Sequence, residues 1–167
     1  ICDMDGVIYH GNRILPGASE FVNWLRQNNK EFLFLTNNSG YTKRELQQKL
    51  ARMGMEVSEE HFYTSALATA AFLKEQSPGC SVYAIGEAGL LNALYDAGIT
   101  MNDVNPDYVV IGEGKSYSID TLTRHRNHPI EIYNNFIIRR LHIRNIGQYS
   151  SCRIWTYHSS WMLRLSA

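Results

Sequence analysis

Two acids near the start of this 167-residue chain, Asp3 and Asp5, stand at i and i+2 with Gly6 directly after them. The apolar lead-in Ile1-Cys2 reads as the end of a buried strand. Side chains two apart on a strand point to the same side. Both carboxylates are therefore expected in one crevice beyond the carboxyl end of a sheet, where open α/β folds place their ligands. Two carboxylates so close repel each other unless a cation lies between them. A hard, oxygen-seeking ion such as Mg²⁺ meets that need. Gly6 allows backbone conformations closed to other residues. The plainer alternative is a strand ending in a polar turn, with Asp as turn former.

A second apolar run, Phe32-Leu33-Phe34-Leu35, ends in Thr36-Asn37-Asn38-Ser39-Gly40. One hydroxyl, two amides and a glycine at a strand end can cradle an anion with backbone N–H groups and side-chain donors. An acid pair with a metal at one strand end and an anion cradle at the next together make a phosphate site.

Asp3-x-Asp5-Gly6-Val7 with Leu35-Thr36-Asn37-Asn38 resembles the first two motifs of the haloacid-dehalogenase-like phosphatases. Leu15-Pro16-Gly17-Ala18, Tyr63-Thr64-Ser65-Ala66 and the run from Val104 to Gly112 narrow the likeness to the NagD-type branch, which includes 4-nitrophenylphosphatase and pyridoxal-phosphate phosphatase relatives. The likeness covers roughly residues 1–124.

The resemblance implies an α/β fold: a parallel-sheet, Rossmann-like phosphatase core followed by the start of an α/β cap. It implies that Asp3 is the nucleophile, forming an aspartyl-phosphate, and that Asp5 serves as acid and then base. Asp3 and Asp5 would hold Mg²⁺, and Asp5, Thr36 and Asn37 would contact the substrate. That substrate would be a small phosphorylated metabolite: a nucleoside monophosphate, a sugar phosphate or an aryl phosphate.

The remaining pattern supplies the elements that position these residues. Pro16-Gly17 opens a helix with Phe21, Trp24 and Leu25 on one face. Thr42 with Glu45 reads as a capping box, Leu46, Leu50 and Met53 as an inward face, and Gly54 as the stop. Phe62-Tyr63-Thr64 is a short strand and Ser65 caps the helix to Gln76. The β-α-β-α-β-α order predicts a parallel sheet. Pro78-Gly79 is the expected hinge, dividing residues 1–78 from a cap beginning at 79–124. There, Val82–Ile85 reads as a strand, Gly86–Ala97 as a helix burying Leu90, Leu91, Leu94 and Tyr95, Asp107–Ile111 as a strand, and Ser118 as a helix cap.

Residues 125–167 break this pattern. Residues 1–124 carry 10 Lys and Arg against 15 Asp and Glu, a net of −5, whereas 125–167 carry six Arg and only Glu131, a net of +5. Ile137, Ile138 and Ile143 fit neither a helical nor a strand period. The lysine and the second acidic motif expected of the family are not found. The composition resembles out-of-frame translation, so this tail is expected to be aberrant and the chain to be a truncated, catalytically incomplete fragment, at most a weak binder of phosphate or Mg²⁺. Arg139, Arg140 and Arg144 with Tyr149, Trp155 and Tyr157 as a nucleic-acid surface, and His125, His128 and His142 as metal ligands, are the readings set aside.

Composition bounds the rest. The overall formal charge is zero, so no long-range field argues for nucleic acid. No apolar run is long enough to span a bilayer. Cys2, Cys80 and Cys152 are scattered and odd in number, which suits reduced thiols in a cytoplasmic protein. The chain starts inside a strand without Met and reads as trimmed. Oligomeric state is left open.

Overall fold

The computed structural model describes residues 1–114 and the backbone of two later strands, Ile137–Arg140 and Trp155–Thr156. The Ser118 cap, the Arg124 boundary, Cys152 and the histidines of the tail lie outside the described residues.

The first sheet is wholly parallel. It consists of β1 (Cys2–Asp3), β4 (Phe34–Thr36) and β5 (Phe62–Thr64), in the order β1-β4-β5. Between β1 and β4 lie a small hairpin, β2 (Tyr9–His10) and β3 (Arg13–Ile14), and helix α1 (Ala18–Gln27). Helix α2 (Lys43–Arg52) joins β4 to β5 through a 3₁₀ turn at Glu59–His61. Met4, Ile8, Val22, Phe34, Leu46, Leu50 and Phe62 form the fully buried centre of this unit. Phe34 and Leu35 make β4, the central strand, apolar on both faces, as suits a parallel sheet covered by helices.

Local chemistry sets the ends of α2. Thr42 Oγ1 accepts the Glu45 N–H at 3.2 Å and Glu45 Oε2 accepts the Thr42 N–H at 2.8 Å, which is the expected capping box. Gly54, at φ +90°, supplies the left-handed residue after the helix. Helix α1 departs from expectation. Ala18 and Val22 are buried, whereas Phe21 and Trp24 are 43% and 52% exposed. Helical spacing identifies a stripe, but the packing partners decide which stripe turns inward.

The second sheet has the order β10-β9-β8-β6-β7, with β6 (Ser81–Ile85), β7 (Thr100–Met101), β8 (Tyr108–Ile111), β9 (Ile137–Arg140) and β10 (Trp155–Thr156). Strands β7 and β8 flank β6 in parallel, β9 runs antiparallel to β8, and β10 antiparallel to β9. Strands β9 and β10 lie where the sequence pattern led us to expect no regular element. Val109 and Val110 pair with Arg139 and Ile138, so β9 takes its order from the β8 ladder rather than from its own alternation.

Helix α3 (Ser65–Gln76) follows β5 but packs with the second sheet. Its Ala66, Ala70 and Leu73 share one core with Val82, Leu90 and Leu94 of β6 and α4 (Ala88–Asp96), and with Val110 of β8. The two cores therefore divide between β5 and α3, upstream of the expected break at Pro78-Gly79. Across that turn, the Ser77 and Tyr108 hydroxyls are hydrogen-bonded at 2.6 Å. The cap of α3 is Thr64, whose Oγ1 accepts the Leu67 N–H, and not Ser65. In α4, Leu90, Ala93 and Leu94 are buried, but Leu91 and Tyr95 face outward at 39% and 78% exposure.

Candidate active site

Strand register places the two polar turns side by side. Cys2 pairs with Phe34 and Asp3 with Leu35, so Asp3 lies one residue short of Thr36 on the neighbouring strand. Thr36 in turn pairs with Thr64. The Asp3–Asp5 turn and the Thr36–Asn38 turn thus leave the same carboxyl end of a parallel sheet on adjacent strands, the position where such sheets gather ligand-binding groups.

The first turn is built on Met4, which is completely buried between two exposed acids. Its carbonyl accepts N–H groups from Val7, Ile8 and Tyr9 at 3.4, 2.9 and 3.2 Å. Gly6 N–H donates to the Tyr9 carbonyl at 2.8 Å and adopts φ +77°, which favours glycine. Asp3 Oδ1 accepts the Met4 N–H at 2.8 Å, so the backbone orients that carboxylate. Burying Met4 turns Asp3 and Asp5 outward together.

In the second turn, Thr36 is buried and its Oγ1 accepts the Asn38 N–H at 3.2 Å. The hydroxyl proton of Thr36 remains a donor. Asn37 is exposed, and its carbonyl accepts the Ser65 hydroxyl at 2.6 Å, which pins it to the start of α3. Asn38 Oδ1 accepts the N–H groups of Gly40 and Tyr41, both at 3.0 Å. Lys49 of α2 lies 4.1 Å over the Tyr9 ring and 5.5 Å from that of Tyr41, a cation–π clasp on the segments leaving both turns.

Sequence reading missed the third contributor, Glu113, just past β8. Asn38 Nδ2 donates to Glu113 Oε2 at 2.6 Å, and Glu113 N–H donates to the Oγ of the fully buried Ser39 at 2.8 Å. Burial pushes the Glu113 carboxyl above its ordinary range, opposed by a hydrogen bond from the Ser39 backbone to that carboxyl. An acid at the end of an apolar strand is part of the signal that marked Asp3, and it would have flagged Glu113.

Asp3 and Asp5 offer hard oxygens of the kind Mg²⁺ takes. That ion commonly rests on one or two carboxylates, with waters and substrate phosphate filling its octahedron. The residues present therefore fit the group as a partial donor set. Among the described residues, no cluster of three or more His, Cys, Asp or Glu could hold a metal.

The sequence model of the haloacid dehalogenase-like hydrolase family matches residues 1–100. The chain belongs to the haloacid dehalogenase-like hydrolase family. Dihydroxyacetone phosphatase of Corynebacterium glutamicum (strain R) is 44% identical over 123 residues, covering 74% of this chain and 45% of the relative. Ribonucleotide monophosphatase NagD of Escherichia coli (strain K12) is 43% identical over 122 residues, covering 73% of this chain and 48% of the relative. The solved structure of the E. coli K-12 NagD matches with a TM-score of 0.69 at 42% identity, over 74% of this chain and 49% of that one. A glycerol phosphate phosphatase of Mycobacterium tuberculosis, crystallised with magnesium, matches with a TM-score of 0.68 at 27% identity, over 74% of this chain and 38% of that one. This member of the hydrolase family spans about half the length of the curated relatives it matches.

Proposed function

We propose that the chain carries the phosphoryl-transfer half of a Mg²⁺-dependent phosphomonoester hydrolase. The observation that supports this most is the strand register that sets the Asp3–Asp5 turn beside the Thr36–Asn38 turn. Family membership and the phosphatase names of the relatives point the same way.

In this reading, an Asp3 carboxylate oxygen attacks phosphorus while the bond to the leaving oxygen breaks, and Asp5 gives that oxygen its proton. The Met4 N–H on Asp3 Oδ1 holds the nucleophile in one orientation before the substrate arrives. The Thr36 hydroxyl and the Asn37 amide donate to the phosphoryl oxygens. In the second half, Asp5 takes a proton from water as its oxygen attacks phosphorus, the Asp3–phosphate bond breaks and inorganic phosphate leaves. Mg²⁺, held by the carboxylates of Asp3 and Asp5 and the Asp5 carbonyl, would supply neutralising positive charge. The substrate class is a small phosphomonoester, such as a nucleoside monophosphate, a sugar phosphate or an aryl phosphate. The second sheet is the start of a substrate-selecting cap. Free thiols at Cys2 and Cys80 support a cytoplasmic location.

A second reading is a binder of phosphate and Mg²⁺ with little turnover of its own. It is favoured by the two-carboxylate donor set, since no cluster of three or more His, Cys, Asp or Glu stands among the described residues. Turnover of 4-nitrophenyl phosphate with and without Mg²⁺, in the wild type and in Asp3→Asn, separates the two. Mg²⁺-dependent hydrolysis lost in Asp3→Asn supports the enzyme. Phosphate binding without hydrolysis supports the binder.

A further inference from the structure

We propose that Glu113, at the carboxyl end of β8 in the second sheet, is a positioning residue for the anion-holding turn Thr36–Ser39 of the first sheet. The proposal rests on reading that turn as the phosphate site and extends the site to a residue from the other core.

The geometry is that of a clamp. Asn38 stands at the centre of the turn with both ends of its side-chain amide engaged. Its Oδ1 takes the Gly40 and Tyr41 N–H groups, and its Nδ2 donates to Glu113 Oε2 at 2.6 Å. The Glu113 N–H reaches the buried Ser39 hydroxyl at 2.8 Å, so one residue grips two neighbours in the turn. Glu113 is itself held, since its carbonyl accepts the Glu87 N–H at 3.2 Å at the start of α4. A further strut, Gly89 N–H to the Gly40 carbonyl at 2.9 Å, ties α4 to the same turn.

The close approach is written into two glycines. A Cβ on Gly89 would stand 2.5 Å from the Tyr41 carbonyl oxygen and 2.6 Å from that of Ser39. A Cβ on Gly112 would meet Ser39 Oγ and a Leu90 methyl at 2.9 Å. At Gly89, α4 is therefore seated against backbone carbonyls of the turn, where almost any side chain would break the contact, whereas Gly112 faces the side-chain ends of Ser39 and Leu90.

Fixing Asn38 fixes the turn that presents the Thr36 hydroxyl and the Asn37 amide, and donors ordered beforehand avoid the cost of being ordered on binding. A hydrogen bond from an amide to a carboxylate is at the strong end of its class.

The test compares Glu113→Ala and Glu113→Gln in the full chain. Gln keeps an acceptor oxygen, whereas Ala leaves Asn38 Nδ2 without one. Two readouts are taken by ¹⁵N NMR: titration with inorganic phosphate in the presence of Mg²⁺, followed at the Thr36, Asn37 and Asn38 amides, and hydrogen exchange at the Gly40 and Tyr41 amides. In Glu113→Ala, phosphate should bind about tenfold more weakly, and exchange at Gly40 and Tyr41 should accelerate by a similar factor. Glu113→Gln should stay within about twofold of wild type on both, because the oxygen acceptor remains. Unchanged exchange in Glu113→Ala overturns the clamp. Faster exchange with unchanged phosphate affinity overturns its positioning role. No phosphate shift in the wild type removes the phosphate reading of the turn, and exchange then decides the clamp alone.

Discussion

The two sheets end in the same kind of loop and use it differently. The first turns its acids outward: Asp3 and Asp5 are exposed, and Met4 between them is buried. The second turns its acid inward, with Glu113 hydrogen-bonded to Asn38 and Ser39 of the neighbouring loop. In the proposed function, a carboxylate at a strand end is a reagent where the residue beside it anchors it toward solvent. It is a fastener where another core covers it. The residue type is the same, and burial by a distant segment decides the role.

The largest effect that would break this contrast lies in the first sheet. Asp5→Asn removes the proton donor of the proposed mechanism and is expected to lower turnover of 4-nitrophenyl phosphate by about 10²–10⁴-fold. Thr36→Val, which removes one phosphoryl donor while keeping the shape, is expected to cost about 10²–10³-fold. Steady-state rates with Mg²⁺ measure both, and near-normal rates would mean the reagent lies elsewhere.

Next comes a matched pair in the cores. Leu50→Ala in the first and Leu94→Ala in the second each remove a fully buried side chain and should cost about 2–5 kcal/mol. Native-state hydrogen exchange should show Leu50→Ala speeding the amides of β1 and β4 first, and Leu94→Ala those of β6 and β8. Equal acceleration everywhere would show one core rather than two.

Gly89→Ala sharpens the contrast at the seam. The added methyl has no room beside the Tyr41 and Ser39 carbonyls, so a loss of about 1–3 kcal/mol is expected by denaturant titration. A neutral substitution would mean that the sheets are not in close contact there.

The smallest effect is in pH dependence. Burial raises the Glu113 carboxyl, so the folded state holds that proton more tightly than the unfolded state does. This contribution is fully present at low pH and is lost as pH rises from the ordinary carboxylate range through the raised value. Glu113→Gln lacks that titration. The stability of wild type relative to Glu113→Gln should therefore fall over that interval in paired melts. A flat difference would mean the carboxyl is not held away from water.

What the sequence made legible follows from distance along the chain. The Thr42–Glu45 capping box and the Gly54 stop are decided within a few residues, and each is where the spacing placed it. The parallel order β1-β4-β5 followed from alternating strands and helices. The outward face of Phe21 and Trp24, the allegiance of α3 to the second core, and the pairing of β9 with β8 are tertiary choices that no local period encodes. Asp3 and Thr36 end β1 and β4, and Asp5 and Asn37 follow within two residues, which is why the sequence offers them as candidates. Glu113 was not connected to them because its partner Asn38 is 75 positions away.

The proposed function requires Asp3 as the nucleophile. Its most direct test is an acid quench of the chain during exposure to 4-nitrophenyl phosphate and Mg²⁺, followed by mass spectrometry of the peptide containing Asp3. The expected result is a phosphoryl adduct on Asp3, labile to base and hydroxylamine and missing in Asp3→Asn. Mg²⁺-dependent hydrolysis that proceeds with no adduct on Asp3 and survives Asp3→Asn would contradict it.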